Sequence, residues 1–143
     1  MNVATILKLK GRSVATARPD NTLLEIAGKL AAKRIGAIVV VGENGHLDGI
    51  ISERDVIRAI GEGGVEALQR PVSSFMTANV VTCSEGSVLD ELMELMTEGR
   101  FRHLPVMEDG SLVGIISIGD VVKNHVAEVE MEASSMRSYL ATG

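Results

Sequence analysis

Two short phrases hold the groups in this chain most able to do chemistry. They are Gly49-Ile50-Ile51-Ser52-Glu53-Arg54-Asp55-Val56 and Gly114-Ile115-Ile116-Ser117-Ile118-Gly119-Asp120-Val121. Each sets a serine hydroxyl three residues ahead of an aspartate, directly after an apolar Ile-Ile pair. Such a run ends a strand and opens a helix. The serine is then an N-cap, and the aspartate complements the positive helix end in a capping box. The same groups can also serve a ligand. A helix N-terminus presents free N–H groups and a positive dipole, which suit a phosphate or a polarised hydroxyl. A carboxylate accepts two hydrogen bonds from neighbouring hydroxyls, which matches the 2′,3′-diol of a ribose. The two readings use the same atoms and do not exclude each other.

Other reactive constellations are thin. His46, His103 and His125 share no metal-ligand spacing, and Cys83 has no histidine or basic residue beside it in sequence. The cysteine therefore reads as a small structural residue rather than a nucleophile. No Gly-x-Gly-x-x-Gly or phosphate-loop lysine motif occurs. Met93, Met96 and Met107 read as core filler. No acid–base pair or activated nucleophile stands out, so the chain is expected to be no enzyme and to require no cofactor or metal.

The elements that must position the two phrases are themselves written twice. Residues 39–58 fall on 104–123 without a gap. Val41/Val106, Glu43/Glu108, Gly45/Gly110 and Leu47/Leu112 are identical, besides six positions of the phrase. Thr22-Leu23-Leu24-Glu25 resembles Ser87-Val88-Leu89-Asp90, and Val3-Ala4-Thr5-Ile6-Leu7 resembles Val72-Ser73-Ser74-Phe75-Met76. The chain is two copies of one unit. Each copy opens with a β-prone piece, Val14–Thr16 or Val80–Thr82, and a turn. Thr22 or Ser87 then caps a helix, with Glu25 or Asp90 three residues on. Its apolar face is Leu23, Ile26, Ala27 and Leu30, or Val88, Leu92, Leu95 and Met96. Strands follow at Ala37–Val41 and Phe101–Met107, the second with Arg102 and His103 in it. A turn and a second strand, Leu47–Ile51 or Leu112–Ile116, complete a hairpin. The order β-α-β-β-α predicts an α/β (α+β) fold.

The totals bound the partners. A chain of 143 residues can bury about 70% of its unfolded surface and needs no staple to fold. One cysteine leaves no disulfide framework, as expected in the reducing cytoplasm. No apolar run reaches the length of a membrane span, so no membrane partner is expected. A net charge of −5 and only three aromatic residues, Phe75, Phe101 and Tyr139, argue against nucleic acid.

The duplicated Gly-Ile-Ile-Ser-x-x-Asp phrase, within this element order, resembles the CBS domain. A tandem pair is often called a Bateman module, and the chain looks like the stand-alone bacterial type. The resemblance implies repeats at 1–60 and 72–126, a linker at 61–71 and a C-terminal helical extension at 127–143. It also implies packing about a pseudo-twofold axis, with clefts that take adenosine-containing ligands. By position, Asp55 and Asp120 would hold ribose, and Ser52 and Ser117 would lie near ribose or phosphate. A basic pair before the Leu-Pro-Val strand contacts phosphate in some members, and Arg102 and His103 stand there. Ala37 and Ile38 replace them in the first copy, which offers Arg54 instead. Thr16, Ala37 and Ile38, or Val81, Phe101 and His103, would line adenine. AMP, ADP, ATP, NAD(H) and S-adenosylmethionine all fit this description. The implied function is a regulatory, ligand-sensing module acting on an effector protein. The alternative is a ligand-free dimerisation scaffold.

Residues 61–71 are glycine-rich and then briefly helical. Further on, Val122, Val126, Val129, Ala133, Met136 and Leu140 recur at 4-3-4-3-4 spacing, a heptad-like stripe. The opposite face carries Lys123, Glu128, Glu130, Glu132 and Arg137. Such a stripe packs either on its own domain or on a partner chain. A homodimer is the expectation.

Overall fold

The computed structural model describes residues 1–142. The elements run α1 (Val3–Lys10), β1 (Thr16–Ala17), α2 (Leu23–Lys33), β2 (Ala37–Val41), β3 (Leu47–Ser52), α3 (Glu53–Gly63), α4 (Leu89–Gly99), β4 (His103–Glu108), β5 (Ser111–Ser117) and α5 (Ile118–Thr142). They form a mixed α/β fold of two repeats. Two compact units divide the chain: residues 13–81 with 109–113, and residues 1–12 with 82–108 and 114–143.

In the first unit, β1 pairs parallel with β2, and β2 antiparallel with β3. Ala37–Val40 is buried without a break, as a strand covered on both faces must be. Leu23, Ile26 and Leu30 of α2, with Val56 and Ala59 of α3, close the core. Thr22 caps α2 through a full capping box with Glu25. The 61–71 segment holds the end of α3 and a 3-10 turn at Val65–Gln69, which buries Ala67.

In the second unit, β4 pairs with β5, and α1, α4 and α5 accompany them. Three local expectations shift here. Val80–Thr82 forms no strand. Its place is taken by one bridge at Cys83, which accepts from Met107 N–H and donates to the Pro105 carbonyl. Pro105 has no N–H with which to extend that ladder. Ser87 is not a cap: Val88 precedes α4 without a side-chain cap, and Ser87 Oγ accepts from Ser84 N–H instead. The reason lies in α1, whose entry pairs Asn2 with Val88 and docks Val3 N–H on the Ser87 carbonyl. The buried α4 face therefore starts at Leu89 rather than Val88. Finally, β4 begins at His103, so Arg102 lies exposed just ahead of the strand rather than within it.

Each copy lends its leading segment to the other. Val3–Leu7 belongs to the unit of the second phrase, and Val72–Met76 to the unit of the first. This explains the phrase glycines. A Cβ on Gly114 would lie 2.7 Å from Leu7 Cδ2, and one on Gly49 would lie 2.6 Å from Met76 Sδ and 2.8 Å from the Thr77 carbonyl oxygen. That carbonyl takes the Ile50 N–H, and Thr77 N–H returns the bond. Both glycines admit a neighbouring segment to contact distance, but only Gly49 faces backbone. Gly49→Ala should therefore destabilise by about 2–3 kcal/mol and Gly114→Ala by about 1–2 kcal/mol, the range of overpacking. Urea unfolding at unchanged m-value checks both, and equal costs would contradict this account.

Candidate functional site

Each phrase delivers its aspartate at the first turn of a helix. Ser52 Oγ accepts the Asp55 N–H at 3.3 Å, while Asp55 Oδ2 accepts the Ser52 N–H at 2.9 Å and its hydroxyl at 3.0 Å. Ser117 and Asp120 repeat this at 3.2, 2.8 and 3.0 Å. The capping bonds accepted by each carboxylate all fall on Oδ2. One oxygen thus holds the helix start, and the box does not consume the other. The capping and ligand readings are compatible in atomic detail.

The two carboxylates differ in their cations. Asp120 Oδ2 takes the Lys10 ammonium at 2.7 Å, and Lys10 also bonds the Ile115 carbonyl at 2.9 Å. Among the described residues, the cation recorded beside Asp55 is the exposed Arg58 guanidinium, 3.6 Å from Oδ1. Partial burial pushes the Asp120 carboxyl up. The Lys10 hydrogen bond, the Ser117 N–H, the Lys10 charge and the Ser117 hydroxyl outweigh it and hold the group below the usual carboxylate range. Asp120 is therefore ionised at neutral pH, an acceptor only. Lys10 was not among the residues singled out from the sequence. The likeness of Val3–Leu7 to Val72–Met76 marked α1 as part of the repeat, but the contact spans 110 positions.

The strands bring other candidates to the same helix starts. Ala37 pairs with Ser52, and Glu53 N–H bonds the Gly36 carbonyl. In the second copy Ile118 N–H bonds the Arg102 carbonyl at 2.7 Å, and His103 follows as the first strand residue. Of the residues expected to face adenine or phosphate, Ala37 and Arg102 thus adjoin the signature helix starts through the backbone. The side chains are less uniform. Arg54, Arg102, Thr16 and Val81 are exposed, and Phe101 is half-buried against Gly99. Ile38 is fully buried in the core, so its side chain is spent on packing and only its backbone can meet a ligand. A groove of about 500 Å³ between α2 and α3, lined by Ala27, Ala31, Arg34, Glu53 and Ile57, contains none of the candidate residues. Burial pushes the Cys83 thiol up to about 11, so it is no nucleophile at neutral pH. Among the described residues no cluster of His, Cys, Asp and Glu could hold a metal ion, and no helix is long and apolar enough to cross a membrane.

A doubled strand–helix unit, with a Ser-x-x-Asp box at each helix start, defines a class of paired repeats. The CBS domain family matches residues 9–62 and 72–126, and the chain belongs to that family. It is a tandem CBS-domain pair, a non-catalytic regulatory module. It is 33% identical to the mitochondrial CBS domain-containing protein CBSX3 of Arabidopsis thaliana, over 99% of this chain and 72% of that protein. Against several longer Arabidopsis CBS proteins it spans about a quarter of their length. The crystal structure of the CBS-domain protein ATU1752 from Agrobacterium tumefaciens matches with a TM-score of 0.83 and 52% identity, over 85% of this chain and 91% of that one. PAE2072 from Pyrobaculum aerophilum, solved with AMP, matches with a TM-score of 0.75 and 26% identity, over 84% and 89% of the two chains. The CBS pair of MJ0100, solved with 5′-methylthioadenosine and S-adenosyl-L-methionine, gives 0.80 and 26%, over 90% and 98%.

The balance at Asp120 makes a prediction. A carboxyl held below its unfolded value of about 3.9 contributes stability above that pH, and loses it as pH falls through the folded value. Lys10→Met removes two of the lowering influences and leaves the burial that raises. Carboxyl-carbon NMR should show Asp120 titrating below the ordinary aspartate value in the native chain and clearly higher in Lys10→Met. An unchanged Asp120 titration would mean that Lys10 does not hold the carboxylate in solution.

Proposed function

We propose that the chain senses an adenosine-containing nucleotide, AMP, ADP, ATP or NAD(H), at its signature helix starts and passes its state to a partner protein, working as a homodimer. The observation that carries this reading is the division of labour on each aspartate. Oδ2 closes the capping box, and Oδ1 remains to accept a ribose hydroxyl. Structural relatives solved with AMP, and with 5′-methylthioadenosine and S-adenosyl-L-methionine, support an adenosine ligand for the family. Asp55 and Asp120 hold ribose in this reading, with Ser52 and Ser117 beside it. Phosphate falls to Arg102 and His103 in the second copy and to Arg54 in the first. Adenine lies against Thr16, Ala37, Val81 and Phe101 and the Ile38 backbone. The repeats divide at 1–60 and 72–126, with 61–71 as linker and 127–143 as extension. One buried, unpaired cysteine suits a cytoplasmic setting.

The second copy should be the tighter phosphate site, because only it sets a basic pair at the start of the Leu-Pro-Val strand. A ribose diol that spans both Asp120 oxygens competes with Lys10 at Oδ2, which already accepts three bonds. Displaced from there, Lys10 is a further cation for a phosphate. Asp120→Asn keeps size but loses the charged acceptor, and should cost about 1.5–3 kcal/mol, roughly ten- to hundredfold in Kd, for adenosine and AMP alike. Arg102→Ala should weaken AMP while leaving adenosine nearly unchanged. Calorimetry with both ligands decides, and equal weakening of both by Arg102→Ala would make Arg102 a packing residue. If thermal shift with the whole adenosine panel finds no stabilisation, the ligand-free dimerisation scaffold takes this reading's place. A true ligand at a hundred times its Kd adds about 2.7 kcal/mol.

A further inference from the structure

Helix α5 keeps two opposite faces. One rests on its own unit: Val121 and Asn124 are buried, and the Asn124 amide donates to the Asp120 carbonyl at 2.7 Å. Glu128, two turns on from Val121, meets the Met1 amino group at 2.7 Å. The other face carries the stripe, and the unit leaves it uncovered. Val122 is 54% exposed, Val129 49% and Leu140 70%, and every residue from 129 to 142 is exposed. A segment of that length without packing is marginal as a helix in water, so the stripe needs a partner. The family match ends at residue 126. Most of the stripe lies beyond it.

We infer that the stripe is a self-association surface: two copies of α5 pair in parallel, in register, as a short two-stranded coiled coil. This deepens the homodimer reading above by naming its surface and orientation. Charge selects the arrangement. With Val126, Ala133 and Leu140 at the a positions and Val122, Val129 and Met136 at d, the flanking e and g positions are Lys123, His125, Glu130, Glu132, Arg137 and Tyr139. In a parallel pair each g residue faces the e residue five positions on in the other copy. Glu132 then faces Arg137, and His125 faces Glu130, each twice by symmetry. An antiparallel pair burying the same layers would set Lys123 against Arg137, Glu130 against Glu130 and Glu132 against Glu132. Parallel pairing turns the flanking charges into attraction, and antiparallel pairing turns them into repulsion.

Sedimentation velocity on the full chain should show a reversible dimer that weakens with salt. Val129→Glu puts a charge into a central layer and should weaken it at least roughly tenfold. Circular dichroism should show that this exposed substitution leaves the rest folded. Val126→Cys should oxidise to a disulfide-linked dimer, because parallel register sets residue 126 against itself. The native chain, whose Cys83 is buried, should not cross-link. Glu132→Lys and Arg137→Glu should each weaken the dimer, and the double exchange should restore it. A monomeric native chain would overturn both the surface and the homodimer reading. A dimer indifferent to Val129→Glu would keep the homodimer but overturn the stripe. Failure of Val126→Cys to cross-link, or of the double exchange to rescue, would overturn the parallel register.

Discussion

The second unit depends on a missing side chain. Gly114 leaves room for Leu7, and the buried Leu7, Ile6 and Val3 hold α1 against that strand. With α1 in place, its last residue reaches the helix start: Lys10 meets Asp120 and the Ile115 carbonyl. The same entry fixes α4, since Asn2 bridges Val88 and the Met1 carbonyl takes the Leu89 N–H. Any side chain at position 114 would act on the site indirectly, by moving the helix that supplies its cation.

The first unit uses the same device for a different result. Gly49 admits Met76 and Thr77 as Gly114 admits Leu7. The segment arriving there is a 3-10 turn at Val72–Ser74 followed by a bridge at Thr77, not a two-turn helix. It brings no lysine to Asp55, whose cation is Arg58 from its own helix at 3.6 Å. A pair at that distance, with the guanidinium exposed, is worth little. Two nearly identical phrases therefore sit in different electrostatic settings. The difference comes from the neighbours, not from the phrases.

Much of this was legible from local signals. The duplicated phrase, the Thr22–Glu25 and Ser52–Asp55 boxes, the hairpins and the apolar run Ala37–Val41 are set by residues within a few positions of one another, and periodicity reads such features directly. Ser87 failed as a cap because a distant strand-like contact at Val88 took over the helix start, and a Ser-x-x-Asp pattern cannot reveal that competitor. Arg102 fell outside its strand because the pairing begins at His103, a boundary that the apolar pattern leaves loose. Ile38 went into the core, and alternation is no guide in a strand buried on both faces. Lys10 stayed hidden for the simplest reason, that its partner lies across the chain.

Helix α5 joins these levels. It starts at the Ser117–Asp120 box and continues without a break to the exposed stripe. Helix α1 contacts it at two points, Lys10 on Asp120 and the Met1 amino group on Glu128, more than two turns apart. A helix held at two points along one face cannot roll without breaking an ion pair. A group that engages Asp120 at Oδ2 competes with the Lys10 contact there, and so acts on the element that carries the stripe. A ligand changes the bearing of α5 only by the difference in its affinity for the clamped and released states. The pairing of Lys10 with Asp120 contributes to that difference, so that one helix joins the Ser117–Asp120 box to the exposed stripe without any further moving part.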